Sequence, residues 1–600
     1  MKRRILTVIA FSLMVLLCSC GTKISFKQEK RLEATGDTSW TVLIYACGDN
    51  GGKASNTIKE LTQYKYPENV NVVMQTGGGE SWDIEEIDGS FIQRYEMQYG
   101  SAFLKDQKKG ASMGTYSVFA DFINWGMHEY KTDKYILVLM GDGNGMEVLN
   151  DELYGGDTLN IEEMYYALSK TDEVLDAICF DGAYMSSLEM ATALSTYAKY
   201  MVASEEKCSG FDYCALVDCL ITYPNAGIEE MCNEMCNAYL RKSEEEGSQP
   251  MAQLSSIDLS QISNLNLAFD GMAHEILTHS NDLTALGGVT RMMEEAQRCA
   301  GSEMVDILSL ANALSSVAGE TPQTVREALL MAVKNNVRGQ MREQSSGISV
   351  YYPTKSEEWT LNEYMKHSHS DSYKSFLKNT ITDTKIVDEY ISTDFSDTVA
   401  WEEYGEKNMT CSSKIEGEKA VVNIAPDVQT VKNVKLNRYF YSKESKSYLE
   451  CGSTMELECL WDECTYKSEL KRKIPVVKGV ALDCDIASRN GGYTIYSVNT
   501  VFKERLAQMY VAYNATEESY EYLGLWDNGS FVKNSSNEEV TLLNTDRETQ
   551  KKLPTKTVKE KNIKVSGKIP PRGKYIYEFE VEDIYRKKHI CNPIEFEVGF

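Results

Sequence analysis

The chain has 600 residues, of which 42% are hydrophobic, 10% aromatic and 25% charged, a balance that excludes wholesale disorder and leaves room for several domains. Lys and Arg number 62 against 89 Asp and Glu, a net charge of −27 that repels phosphate backbones and excludes nucleic acid as an expected partner while tolerating basic peptides. Its 16 cysteines are too sparse for a disulfide scaffold.

Met1–Arg4 is basic, and Ile5–Leu17 is an almost unbroken apolar run. At 1.5 Å per residue that run covers about 20 Å, short of the roughly 30 Å hydrocarbon core. Residues 1–20 therefore read as a signal peptide. Leu17-Cys18-Ser19-Cys20-Gly21 resembles the bacterial lipobox, where a small residue precedes the cut and the next Cys takes the lipid. Cys20 fits that position; Cys18 does not, because the bulky Leu17 would precede its cut. The expectation is a lipoprotein anchored through Cys20 on the extracytoplasmic face of a bacterial cell membrane, with a polar tether over residues 21–38.

From Trp40 onward short apolar runs alternate with amphipathic helices. Trp40–Cys47 reads as a buried strand ended by Gly48-Asp49-Asn50-Gly51-Gly52. Asn69–Met74 is a second strand, and Tyr135–Met140 another, stopped by Gly141-Asp142-Gly143. Ala177–Phe180 is stopped by Asp181-Gly182, and Tyr200–Ala203 follows a helix over Tyr184–Tyr197. Strands spaced by helices predict βαβ units and a mainly parallel sheet, whose ligands sit at the carboxyl ends of the strands. The loops after Cys47, Met140 and Phe180 then share one edge. Residues 228–345 read as a helical insert, and Gly347–Pro353 as a closing strand. Alternating strands separated by Asn-, Gly- and Lys-rich turns predict a β-rich domain over 394–600, after an α/β domain over 39–393.

Taken together these segments resemble the clostripain family of cysteine peptidases, which implies a caspase- or gingipain-like α/β fold. Trp40-Thr-Val-Leu-Ile-Tyr with Gly48-Asp49-Asn50 is similar to the family's first strand and loop. Asp121-Phe-Ile-Asn-Trp-Gly and Asp133-Lys-Tyr-Ile-Leu-Val-Leu are similar to the helix and strand before its catalytic His. Ile178-Cys-Phe-Asp181 and Tyr197-Ala-Lys-Tyr-Met-Val-Ala-Ser-Glu-Glu206 are similar to the nucleophile strand and the strand after it. Family members carry His-Gly after the Leu-rich strand and Asp-Ala-Cys after the next; this chain has Asp142-Gly143 and Asp181-Gly182-Ala183. Both catalytic positions are changed, His to Asp142 and Cys to Ala183.

A methyl group cannot form an acyl-enzyme, and a carboxylate with a pKa of about 3.9 is a poor base toward a thiol near 8.5. Tyr135–Ser169 holds no Lys or Arg, so the family's self-cleavage after a basic residue has no site there. The backbone N–H groups of Gly143 and Ala183 remain as oxyanion-hole donors. By resemblance Asp181, and with a looser match Asp212, would recognise a basic side chain; Asp181 is equally suited to cap the helix that follows. Cys47 is the substitute nucleophile to weigh, and Cys179 reads as a packing residue. Asp49, Asp142 and Asp181 could converge on Ca²⁺, the one cofactor considered. The expectation is a catalytically inactive pseudopeptidase binding peptide or protein ligands, basic ones included, through the former cleft. The alternative is an endopeptidase with a displaced nucleophile that cleaves after Arg or Lys. Restoring Cys at 183 and His at 142 together is expected to return cleavage.

Overall fold

The computed structural model describes residues 30–390 and 409–598, apart from 86, 281–282, 355–357, 382–389, 426–427, 491, 528 and 585. The signal segment, Cys20 and the boundary at 394 lie outside the described residues. Part of the expected tether is built into the fold: Leu32 bridges to Pro67, and the Arg31 guanidinium donates to Asn71 Oδ1 at 2.8 Å.

Nine strands form the central sheet. In chain order its first half comprises β1 (Trp40–Cys47), β2 (Val70–Gly77), β3 (Phe91–Gln98), β4 (Ser101–Lys109) and β5 (Lys134–Met140). A small hairpin, β6 (Glu147–Asp151) and β7 (Asp157–Asn160), stands outside it. Then come β8 (Leu175–Asp181), β9 (Ala198–Ala203) and β10 (Gln253–Asp258). After β11 (Met304–Asp306), which pairs elsewhere, β12 (Val333–Arg338) completes the sheet. The spatial order is β12-β10-β9-β8-β5-β1-β2-β3-β4. Strands β2, β1, β5, β8 and β9 are parallel, and the flanking pairs are antiparallel.

The parallel strands are predominantly apolar and almost wholly buried because helices cover both faces. Leu43, Tyr45, Leu137, Leu139 and Phe180 enter one core with the helices Tyr116–Glu129, Ile161–Leu168 and Ile262–His279. Their neighbours Val42, Ile44, Ile136, Val138 and Cys179 enter the other with the helices Lys53–Leu61, Tyr213–Thr222 and Ile228–Glu246. Side chains alternating across a strand divide the two cores in this way. The chain winds outward in both directions from between β1 and β5, so the crevice at their carboxyl ends is the switch point where ligands bind in such sheets.

Three expectations change. The insert is not wholly helical, since β10 and β12 carry the sheet beyond β9. The closing strand, β13 (Ser349–Tyr351), pairs with β11 and not with the central sheet. The helix after β8 runs only from Leu188 to Leu194, capped by Ser187, whose side chain accepts from the Met190 N–H. Asp181 therefore caps nothing there.

From Thr410 to Val598 the chain is β-rich and antiparallel in all its named pairings. One apolar core gathers Val422, Leu436 and Phe579, and another Val498, Met509 and Leu525. A disulfide joins Cys411 to Cys591 across 180 residues. Cys208, Cys214, Cys219, Cys232, Cys236, Cys451, Cys459 and Cys464 are free thiols. The two regions share a core in which Met251, Ala300 and Met341 meet Ile495, Tyr510, Leu523 and Trp526. Polar contacts fasten the same seam: Lys432 reaches Glu294 at 3.2 Å and Glu582 at 2.9 Å, and Ser488 Oγ donates to the Arg298 carbonyl at 2.7 Å.

Candidate functional site

The tips of β5 and β8 press together. A Cβ on Gly182 would stand 1.8 Å from the Gly141 carbonyl oxygen, so only glycine lets the second tip pass. This approach brings the two degenerate positions together, as their places in the sequence imply. The Ala183 backbone N–H donates to Asp142 Oδ1 at 3.3 Å. Ala183 is only 2% exposed, whereas Asp142 is open to solvent. Gly143 bridges to Val148 and lies against the Met185 thioether, which a Cβ on Gly143 would strike at 2.1 Å. Of the two backbone donors expected for an oxyanion hole, the one on Ala183 is thus engaged by a carboxylate.

Asp181 is 0% exposed and fully engaged by the chain itself. Lys53, the first residue of the helix after β1, brings its Nζ to 2.8 Å from Oδ1 and 3.0 Å from the Asp181 carbonyl. Tyr213 Oη donates to Oδ2 at 2.8 Å, and the Phe211 N–H donates to Oδ1 at 3.1 Å. Burial pulls the Lys53 ammonium down, but Asp181 outweighs it and the pKa ends above the usual lysine value. The acid that the resemblance offers to a ligand's Arg or Lys already holds a lysine of its own. Asp212 is the N-cap of helix Tyr213–Thr222, its Oδ1 accepting from the Ala215 N–H at 2.8 Å.

Cys47 is buried in the core that holds Tyr45 and Phe119, and burial together with the Asp151 carboxylate pushes its thiol far above the ordinary cysteine range. Such a thiol is not a ready nucleophile. Asp151 itself is tied down by the N–H groups of Met113, Leu153 and Tyr154 at 2.8–3.1 Å, which folds the acidic loop after β5 into the β6–β7 hairpin. The histidines lie on helices, a turn or the β-rich region and not at the strand tips: His128, His274, His279 and His367 on helices, His369 just beyond one, and His589 beside Asp583.

The three carboxylates weighed for Ca²⁺ do not share one site. Asp49 accepts from the Ser55 N–H and Oγ and from the Asp83 N–H at 2.7–2.8 Å, while Asp142 and Asp181 have the partners described above. Among the described residues no group of three or more His, Cys, Asp or Glu is arranged to hold a metal ion.

The β-rich region leans over this edge. Ser530 Oγ donates to the carbonyls of Asn50 and Gly51 at 3.1 and 3.2 Å, and a Cβ on Gly529 would lie 3.8 Å from Asp142 Oδ2. Lys207 lies beside Gln508 at 3.3 Å and faces the rings of Tyr510 and Trp526 at 5.5 and 5.9 Å. Burial lowers its pKa, against the pull of Asp142 and Glu206. Glu206 in turn pairs with the buried Arg342 and accepts from the Ala300 N–H at 3.1 Å. Sequence reading missed Lys53, Lys207 and Ser530. Each lies in a loop or at the start of a helix or short strand with no signal of its own, and its partner is remote in the chain.

No curated protein matches the chain. Solved structures with a partial likeness include a secreted C11 cysteine protease from Bacteroides thetaiotaomicron in complex with an irreversible peptide inhibitor. It is 17% identical with a TM-score of 0.45, over 56% of this chain and 99% of that one. An inactive zymogen C11 protease from Parabacteroides distasonis is 20% identical with a TM-score of 0.40, over 53% and 93%. The sequence profile of the clostripain family runs from residue 44 to residue 464, through both strand tips and into the β-rich region, more than half of the chain. The chain belongs to the clostripain family.

Proposed function

We propose that this member of the family is a pseudopeptidase: it does not cut peptides, and it binds peptide or protein ligands at the cell surface. The observation that carries the reading is the bond from the Ala183 N–H to Asp142. In acyl transfer that donor would face a developing oxyanion. Here it faces a resident carboxylate, and like charges about 4 Å apart cost between about 1 kcal/mol in water and about 4 kcal/mol near a protein surface. At the upper figure that is roughly a thousandfold in rate, added to the loss of thiol and imidazole.

Tethering through Cys20 rests on the lipobox-like run, and the Cys411–Cys591 disulfide supports an extracytoplasmic, oxidising location. A fluorogenic Arg/Lys peptide assay tests the reading. No turnover above buffer is expected, and turnover that iodoacetamide abolishes would refute it.

A further inference from the structure

With Asp181 occupied, the same end of the sheet still holds one cleft with unused charge. It has a volume of about 480 Å³ and lies between the loop after β1, the loop after β2 and the β-rich region. Glu80, Asp83 and Glu152 line one wall, and Lys503, Arg505 and Asp527 the other. Asp527 is 6% exposed, and its Oδ1 has no hydrogen-bond partner among the described residues. Burying a carboxylate oxygen without a donor is costly, so such a group marks a place where a donor is missing.

Lys503 and Arg505, exposed where strand Tyr493–Phe502 turns into strand Arg505–Asn514, pull on the Asp527 carboxyl from a distance but give its Oδ1 no hydrogen bond. Five carboxylates, the internally bonded Asp49 among them, against two cations leave the cleft negative. The missing donor is then best supplied by a cation, and with no metal-binding group among the described residues an organic cation fits best.

We propose that this cleft binds the ammonium or guanidinium group of a basic peptide side chain, with Asp527 as its buried anchor and Glu80, Asp83 and Glu152 as its acidic rim. The proposal rests on the reading of the chain as a peptide binder and gives that reading a site and a ligand charge. In it, recognition of basic residues has moved from Asp181 to the seam with the β-rich region.

The test is calorimetry with the purified chain and two probes: the blocked pentapeptide Ac-Gly-Arg-Gly-Lys-Gly-amide, and its neutral counterpart with citrulline and norleucine for Arg and Lys. The basic peptide is expected to bind at least tenfold more tightly at low salt. Asp527→Asn is expected to erase that preference, and the surface double variant Glu80→Gln/Glu152→Gln to reduce it about threefold. The paired variant Lys53→Met/Asp181→Asn, which removes the old pocket's charges together, is expected to keep it. Equal binding of both peptides would overturn the proposal and leave the peptide-binding reading standing. A preference that survives Asp527→Asn and Glu80→Gln/Glu152→Gln, or that is lost in Lys53→Met/Asp181→Asn, would overturn the proposal in favour of another site. Binding of neither peptide would overturn both.

Discussion

Asp181 and Asp527 are two carboxylates withdrawn from water above the same end of the sheet, and their surroundings differ. Asp181 has a lysine, a tyrosine and a backbone N–H on its two oxygens. Asp527 lines a cleft and has an oxygen with no donor among the described residues. The first has become part of the framework that holds helix Lys53–Leu61 to the tip of β8. The second pays a desolvation penalty that Lys503 and Arg505 offset only in part, with no hydrogen bond to its Oδ1 among the described residues. A buried charge that is fully paired says little about ligands, whereas one left unpaired at a cavity wall points outward.

The contrast can be broken at its strongest point. Lys53→Met leaves Asp181 buried without its counter-ion and is expected to destabilise the chain by about 3–5 kcal/mol, read as a lowered urea midpoint. Substituting both partners, Lys53→Met/Asp181→Asn, should recover most of that loss, because no charge is then stranded.

A third buried carboxyl sharpens the comparison through pH. Glu189, at the start of helix Leu188–Leu194, has an oxygen with no partner, and burial pushes its pKa up to about 7. A carboxyl whose pKa is raised by folding resists ionisation in the native state, so it costs nothing below its unfolded value of about 4.5. The cost grows as pH rises from there to about 7 and is complete above. Glu189→Gln is therefore expected to be neutral at pH 4 and to stabilise at pH 8 by on the order of 2–3 kcal/mol. A thermal-melt series across that range measures it, and the same gain at both pH values would contradict it.

The smallest effect belongs to Asp527 itself. Burial raises its pKa against the pull of Lys503 and Arg505, and Asp527→Asn relieves a buried charge whose Oδ1 has no hydrogen bond among the described residues to lose. A gain of up to about 1 kcal/mol is expected, opposite in sign to the loss from Lys53→Met at the paired site. Loss of stability in Asp527→Asn would show that its carboxylate has a structural partner.

The architecture was legible where strands are buried on both faces. The runs at β1, β5 and β8 are mostly apolar and lead into Gly and Asp, so they announce both a parallel sheet and the tips where chemistry would sit. Strands that alternate or carry polar side chains gave no such signal. Phe91–Gln98 and Ser101–Lys109 form a hairpin with one exposed partner, and Gln253–Asp258 with Val333–Arg338 lies in a stretch that is otherwise helical.

The loss of His and Cys could be read directly, because both are single positions within matched segments. Their replacement contacts could not. Lys53 and Asp181 are 128 residues apart, and Cys411 and Cys591 are 180 apart; only the folded topology brings either pair together. This bears on restoring catalysis. Ala183→Cys with Asp142→His returns the thiol and the imidazole but leaves Lys53 on Asp181. Cleavage after Arg or Lys is expected to require Lys53→Ala as well, in the fluorogenic assay.

The most direct measurement is intact-mass analysis of the unmodified chain after exposure to an irreversible peptidyl ketone bearing a basic side chain. Such a reagent needs a thiolate beside a donor that polarises its carbonyl. With Ala183 and Asp142 at the strand tips and Cys47 buried, the chain should show no added mass. A single stoichiometric adduct that maps to Cys47 or another thiol at this edge, and that a competing basic peptide prevents, would contradict the account.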